Sequence, residues 1–288
     1  MMRNSFFVLS VHFSAAVFLT IGPALEAACV WKVTDSKGGV VYLGGSYHAL
    51  RKGDYPLPEA FEKAFEASNR LAFEIDHKSD AFGYSFVKAG LYPRGDQLKN
   101  HVNPRTYQYL CRVLAQSKLP QEQIATYRPW FLAFMLDDPT SDAFSSQLGV
   151  ENYLERRARQ KNKSTTGLES TMEHVRVFSG LSDQESEAWL LLSFIELEGS
   201  DAEVSRTMAA WRRGDAEEVW RSAQERYRDF PSMVDRLLAV RNRKWIPKIE
   251  GYMRSGKIYF VVAGAAHFGG PNGVLALLRQ RGYQIEQL

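Results

Sequence analysis

Apolar and polar positions divide the chain into an apolar lead, an α/β opening, a long charged middle and an α/β close. Val30-Trp31-Lys32-Val33-Thr34 alternates with the period of a strand. Asp35-Ser36-Lys37-Gly38-Gly39 reads as a turn, and Val40-Val41-Tyr42-Leu43 as a second strand. Pro58 opens a helix at a position where its missing N–H costs nothing. Leu57, Ala60, Phe61, Ala64 and Phe65 then share one face at helical spacing. Arg70 to Ile75 reads as a buried strand. From about 100 to 245, charged residues surround apolar ones spaced three or four apart, as in Tyr107/Leu110/Val113/Leu114 and Trp189/Leu192/Ile195. That zone is expected to be a mostly helical insertion, punctuated near Pro139, Gly167, Gly180, Gly199 and Gly214. Lys257 to Ala263 is the strongest strand, and its unbroken apolar run predicts cover on both faces. Val274 to Gln280 follows as a helix stopped by Gly282, and Tyr283 to Glu286 as a last strand. The expected fold class is α/β, with a central sheet formed from N- and C-terminal segments and a large mostly helical insertion.

The apolar lead changes the picture of where the protein works. Arg3 precedes an apolar run from Phe6 to Ile21, interrupted by His12 and ended by Gly22-Pro23, with Ala24-Leu25-Glu26-Ala27-Ala28 after it. Positive charge, apolar run and small residues in this order read as a secretory signal. The run is shorter than the roughly 20 apolar residues of a spanning helix. Residues 1–28 are therefore expected to be a signal peptide and 29–288 one α/β domain, periplasmic or secreted. Cleavage after Ala27 leaves a tolerable Leu25 three residues back, whereas cleavage after Ala28 would put Glu26 there. Cys29 after two alanines hints at lipid attachment, but Glu26 stands where that signal wants an apolar residue.

Composition excludes more than it assigns. Of 288 residues, 45% are hydrophobic and 24% charged, as in ordinary globular proteins, and the net charge of +3 is scattered. No basic tail or acidic block argues for nucleic acid. The dense charges from Arg206 to Arg228 read as a solvated helix face. The two cysteines, Cys29 and Cys111, could form one disulfide or stay apart. They cannot make a cysteine-type zinc site, so any metal must be held by histidine and carboxylate.

Two segments share one design. Val40 to Leu43 leads into Gly44-Gly45-Ser46-Tyr47-His48, and Ile258 to Ala263 into Gly264-Ala265-Ala266-His267. Glycine lets the backbone turn as the strand ends, and Gly-x-x-His delivers a histidine past the strand's carboxyl edge, where ligands sit in open α/β sheets. Glu74 falls near the end of a third strand. If these strands are parallel neighbours, His48, His267 and Glu74 form a ligand set for zinc, manganese or cobalt that could polarise water and an amide or ester carbonyl. His77, His101 and His174 have no such context and read as structural or surface residues.

Further segments carry a resemblance. Trp31-Lys32-Val33, Leu43 to His48, Tyr55-Pro56-Leu57-Pro58, Ala72 to Asp76, Gly167-Leu168-Glu169-Ser170, Arg241-Asn242-Arg243-Lys244-Trp245-Ile246 and Gly264 to Tyr283 together resemble the TraB/GumN family from Trp31 to Ile285. That resemblance implies kinship with the Tiki membrane proteases, which are metal-dependent peptidases supported by manganese or cobalt. More distant kin are erythromycin-esterase-like and ChaN-like proteins. It implies His48 and His267 as metal ligands, Glu74 as ligand or general base, and Glu169, Arg241 and Asn242 as active-site polar residues. Arg241 would suit a developing oxyanion and Asn242 a substrate carbonyl. Ser46 stands where the family usually has threonine and keeps the hydroxyl; His174 and Glu151 stand where glutamine and aspartate are usual, which lengthens or recharges groups behind the ligands and bears on substrate and metal preference. The expected function is exported, metal-dependent hydrolysis of a peptide or small carbonyl-containing substrate. The alternatives are metal-free ester hydrolysis by histidine and glutamate, and a non-catalytic protein holding a ligand or haem. Any membrane association is expected only through the signal or a lipid anchor.

Overall fold

The structure, a computed structural model, describes residues 27–76, 81–114, 120–137, 144–197 and 201–288, and only the backbone at 81, 82, 195–197, 201 and 202. The expected signal segment through Glu26 lies outside the described residues, with His12; so do His77, Pro139 and Gly199.

One six-stranded mixed sheet organises the chain. Its strands are β1 (Val30–Thr34), β2 (Val40–Ser46), β3 (Arg70–Phe73), β4 (Ser164–Gly167), β5 (Tyr259–Gly264) and β6 (Gln284–Gln287), in the order β4-β3-β5-β2-β1-β6. β4, β3, β5 and β2 are parallel, while β1 runs antiparallel to both β2 and β6. The β1–β2 hairpin turns where Asp35 Oδ1 accepts from the backbone N–H of Lys37 and Gly39 and where Gly38 takes a φ of +84°. β5 lies between β2 and β3, so the three strands expected to carry the site are parallel neighbours. Every residue of β5 is buried, as its unalternating apolar run requires. Ala28 already belongs to this body: its N–H donates to Leu288 O at 3.0 Å and it is fully buried.

Helix α1 (Glu59–Ala67) links β2 to β3 and buries Ala60, Phe61, Ala64 and Phe65. Between β3 and β4 come α2 (Ala81–Gly90), α3 (Pro104–Leu114), α4 (Gln121–Ile124), α5 (Pro129–Asp137) and α6 (Val150–Gln160). Between β4 and β5 come α7 (Thr171–Ser179), α8 (Asp183–Leu197), α9 (Asp201–Arg212), α10 (Ala216–Arg226), α11 (Pro231–Val234) and α12 (Val240–Arg254); α13 (Val274–Arg279) precedes β6. Apolar side chains gather in two clusters. One surrounds the sheet and includes Trp211, Trp245, Phe260 and Phe268. The other lies among the helices and includes Phe86, Trp130, Phe178, Trp189 and Met233. Each such side chain taken fully out of water contributes roughly 1.5–3 kcal/mol.

The helical zone departs from its expected bounds of 100–245. It starts at Ala81, and α12 runs on to Arg254, burying Trp245, Ile246, Ile249 and Met253 on the sheet. It also contains β4, a polar Ser-Thr-Thr-Gly strand that pairs only with β3 among the described strands. A short edge strand with one partner needs no apolar alternation, so its sequence gives no strand signal. Cys29, buried at the start of β1, and Cys111, on α3, are unpaired thiols. Among the described residues no helix is long and apolar enough to cross a membrane.

Candidate functional site

Four parallel strands each deliver one polar residue to the same edge of the sheet. Glu74 follows β3 directly, His48 lies two residues past β2, Glu169 two past β4 and His267 three past β5. This is the carboxyl edge, where ligands collect in open α/β sheets. Backbone bonds from Leu168 N to Phe73 O at 2.7 Å and from Glu169 N to Glu74 O at 2.9 Å hold the two carboxylate-bearing ends side by side.

β2 runs through Gly44 and Gly45, whereas Gly264 ends β5 just where the tight turn Ala265–His267 begins; none of the three has a positive φ. They supply space. A Cβ at Gly44 would lie 2.7 Å from the Phe260 ring. A Cβ at Gly264 would lie 3.1 Å from His48 Nε2 and 3.6 Å from Glu74 Oε1, so both atoms look into the volume that Gly264 leaves open. His267 Nε2 is 3.8 Å from Glu74 Oε1. That carboxylate oxygen also accepts from Gly264 N–H at 2.9 Å, so it stands between the His267 ring and the gap that His48 Nε2 borders.

Each imidazole has its other nitrogen occupied. His267 Nδ1 lies 2.6 Å from Asn242 Oδ1, and a carboxamide oxygen can only accept, so the proton is on Nδ1 and Nε2 carries the lone pair. Asn242 Nδ2 donates to His267 O at 3.1 Å and Asn272 O at 2.9 Å. With the residue 1% exposed, no group of Asn242 is left for a substrate carbonyl. Its side chain sits behind His267, with both ends of the amide committed. The Trp245 ring lies 4.4 Å from the His267 ring. Burial pushes His267 down to about 3, so it is neutral. His48 Nδ1 lies 2.7 Å from Glu151 Oε1, and the Glu151 carboxylate pulls His48 up to about 9.

Arg241 ties the carboxylates together. Its Nε donates to both Glu169 oxygens at 3.1 and 3.2 Å, and Nη2 donates to Glu169 Oε1 at 2.6 Å and to Glu74 Oε2. Nη1 donates to Leu237 O at 3.1 Å and reaches His267 Nε2 at 3.2 Å. All five N–H groups are committed. Leu237 belongs to a single wide π-helical turn, Asp235–Ala239, just before α12; such turns recur beside functional residues. Burial alone would raise Glu74, but the charges of Arg241 and His48 hold it well below the usual carboxylate range. Glu169 is likewise lowered, against its burial, by hydrogen bonds from His174 and Arg241.

His174, expected to be structural or surface, belongs to this cluster. Ser170 caps α7 with a reciprocal bond pair to Glu173, and one turn later His174 Nδ1 lies 2.6 Å from Glu169 Oε1. Glu74, Glu169 and His174 offer ligand atoms within 4.8 Å of one another, a geometry that could hold a metal. The Arg241 guanidinium occupies that position, with Nη2 bonded to both carboxylates and 3.2 Å from His174 Nδ1. A cation is therefore already seated there, and the triad reads as an arginine socket. His48, His267 and Glu74 instead turn two nitrogens and an oxygen toward the gap above Gly264, with outer partners of the kind that orient metal-binding histidines. Of the described residues, though, only Glu74, Glu169 and His174 bring their ligand atoms within 4.8 Å of one another, and Arg241 Nη1 also reaches His267 Nε2 at 3.2 Å, so an ion above Gly264 would have to draw the second set together. His101 lies elsewhere, between Asp96 and Asp183 at 2.7 and 2.9 Å.

Comparison with known proteins bears on this arrangement. A protein of Danio rerio named "Metalloprotease TIKI2" is 24% identical over 301 residues, covering 85% of this chain and 58% of its own length. The chain thus spans little more than half of that relative. No solved structure matches it. The family model described as "TraB/PrgY/gumN family" covers residues 29–287. That span takes in all six strands and every residue gathered at their carboxyl edge, and the chain belongs to the TraB/PrgY/gumN family.

Proposed function

We propose that this chain is an exported, metal-dependent hydrolase that cleaves a peptide or related carbonyl bond, with His48, His267 and Glu74 as its metal ligands. The observation that carries the reading is that His48 Nε2 and Glu74 Oε1 both border the gap at Gly264 and that His267 Nε2 lies 3.8 Å from the same Glu74 oxygen. Similarity to a metalloprotease supports the same class of chemistry. Bound there, a divalent manganese, cobalt or zinc ion supplies Lewis acidity toward a carbonyl and toward water.

The chain's own residues then divide the work. Asn242 keeps the His267 proton on Nδ1, which leaves the lone pair on Nε2. Glu74 Oε1 lies 3.8 Å from His267 Nε2 and borders the same gap as His48 Nε2, and Glu74 acts as ligand or proton acceptor. Glu169 holds Arg241 in place and is a positioning residue. Arg241 has no spare donor while Nη1 faces His267 Nε2. Once that nitrogen takes another partner, the freed N–H points into the same space and suits a developing oxyanion. Export rests on the apolar lead, and the burial of Ala28 in the fold agrees with cleavage after Ala27.

The test is turnover of a peptide and ester panel by protein purified without a histidine tag, before and after chelation and with manganese, cobalt or zinc restored. Peptide cleavage that is lost on chelation, restored by metal and absent from folded His48→Ala and His267→Ala supports the reading. Ester cleavage that survives chelation selects metal-free hydrolysis, which the Arg241 contact to His267 Nε2 favours.

A further inference from the structure

The two imidazoles are anchored in different ways. His267 is 3% exposed, packs against Trp245 and sits on an asparagine that is itself bonded twice to backbone. His48 has a side chain 70% exposed, and among the described residues its hydrogen bond is the one from Nδ1 to Glu151 Oε1. An exposed ring with two free torsions samples several rotamers unless a bond selects one. Its placement over Gly264 therefore depends on how firmly Glu151 is held.

Glu151 is held from three directions. It stands in the first turn of α6, where a carboxylate is favoured by the helix dipole. α6 is pressed against the His48 segment: Val150 N–H donates to Tyr47 O at 3.2 Å, and a Cβ at Gly149 would lie 2.1 Å from His48 O, so only glycine permits the approach. The Ser46 hydroxyl, 2% exposed at the end of β2, donates at 2.5 Å to the same Glu151 Oε1 that meets His48. One oxygen thus collects a bond from the strand and a bond from the ring.

We infer that Glu151, fixed by Ser46 and the N-terminus of α6, is the positioning residue that turns His48 Nε2 onto the site. The inference builds on the site reading above. Glu151 acts through the imidazole and does not touch the reacting atoms. His48 thereby has a carboxylate as outer partner where His267 has a carboxamide, and a carboxylate makes the ring a stronger electron donor.

The test compares the mature chain with its Glu151→Leu, Glu151→Gln and Ser46→Ala variants, each checked for fold by circular dichroism. Cobalt(II) binding is followed by visible absorbance, and metal-free crystals locate the His48 ring. Glu151→Leu removes the acceptor and is expected to weaken cobalt binding by about 10- to 100-fold, with the ring displaced from Gly264. Glu151→Gln keeps an acceptor oxygen and is expected to fall between. Ser46→Ala, which loses only a hydroxyl and so keeps the fold, is expected to weaken binding several-fold. Cobalt affinities for Glu151→Leu and Ser46→Ala within twofold of wild type, or a ring still over Gly264 without the acceptor, overturn the inference. A wild-type chain that takes no cobalt overturns the metal reading alone, and the ring position in the metal-free crystals then decides on Glu151 by itself.

Discussion

Replacing Arg241 by methionine removes the one cation that the buried carboxylates share while keeping an unbranched stem of similar length. Arg241 is 6% exposed, and its side chain meets Glu74, Glu169, Leu237 O and His267 while lying 4.8 Å over the Trp245 ring. Removing one member of a buried ion pair costs about 3–5 kcal/mol, because the other charge stays behind uncompensated. Here two carboxylates are left, but each keeps a donor: Glu74 Oε1 has Gly264 N–H and Glu169 Oε1 has His174. A loss of about 4 kcal/mol is therefore expected, the losses and the remaining bonds offsetting within the usual range. For a domain of this size each kcal/mol lowers Tm by about 2–4 °C, so the expected fall is roughly 8–16 °C. The assay is thermal unfolding by circular dichroism at neutral pH in the presence of chelator. Arg241→Lys, which keeps the charge but loses the planar fork, is expected to fall by about half as much. An Arg241→Met chain that melts within about 2 °C of wild type refutes the socket as a source of stability.

Other outcomes follow from the same geometry. Gly264→Ala puts a methyl 3.1 Å from His48 Nε2 and 3.6 Å from Glu74 Oε1 without a φ penalty, so turnover should drop at least tenfold (about 1.4 kcal/mol) while Tm barely changes; unaltered turnover would contradict the site's location. Asn242→Leu strands His267 Nδ1 without its acceptor and should weaken metal binding by about 10- to 100-fold in a direct titration. Cys29 is fully buried with its thiol pushed up to about 12, whereas Cys111 is half-buried. Alkylation of the native chain at pH 8 should therefore modify Cys111 and spare Cys29 until denaturant is added. His101 is raised above the ordinary imidazole range by Asp183 and Asp96, so its bridging contribution is full at pH below that range and is lost as pH rises through the raised midpoint. Asp183→Asn should move the His101 midpoint down toward 6.5 in an NMR titration.

Much of the sheet is written in local pattern. The continuous apolar run of β5 predicts burial on both faces, and the helix face of Leu57, Ala60, Phe61, Ala64 and Phe65 is where the pattern places it. β4 is illegible because a polar edge strand carries no alternation, and the π turn before Arg241 has no local sequence signal either. At the site, the repeated Gly-x-x-His announces His48 and His267, and the resemblance brings in Glu169, Arg241 and Asn242. What local pattern does not show is the room that the glycines leave and that Asn242 faces His267. His174 and Glu151 enter through helix N-termini set by tertiary contacts. The resemblance already singles out both as departures from its usual residues; Gly149 ahead of Glu151 and the Ser170/Glu173 cap ahead of His174 are the local signals that place them.

The most direct test of the account is a crystal structure of the protein grown with manganese(II), with the ion located by its anomalous scattering. The account predicts one ion above Gly264, bonded to His48 Nε2, His267 Nε2 and a Glu74 oxygen, with Arg241 still seated between Glu74 and Glu169. An ion held by Glu74, Glu169 and His174 with Arg241 expelled, or full occupancy at a place that neither imidazole touches, contradicts it.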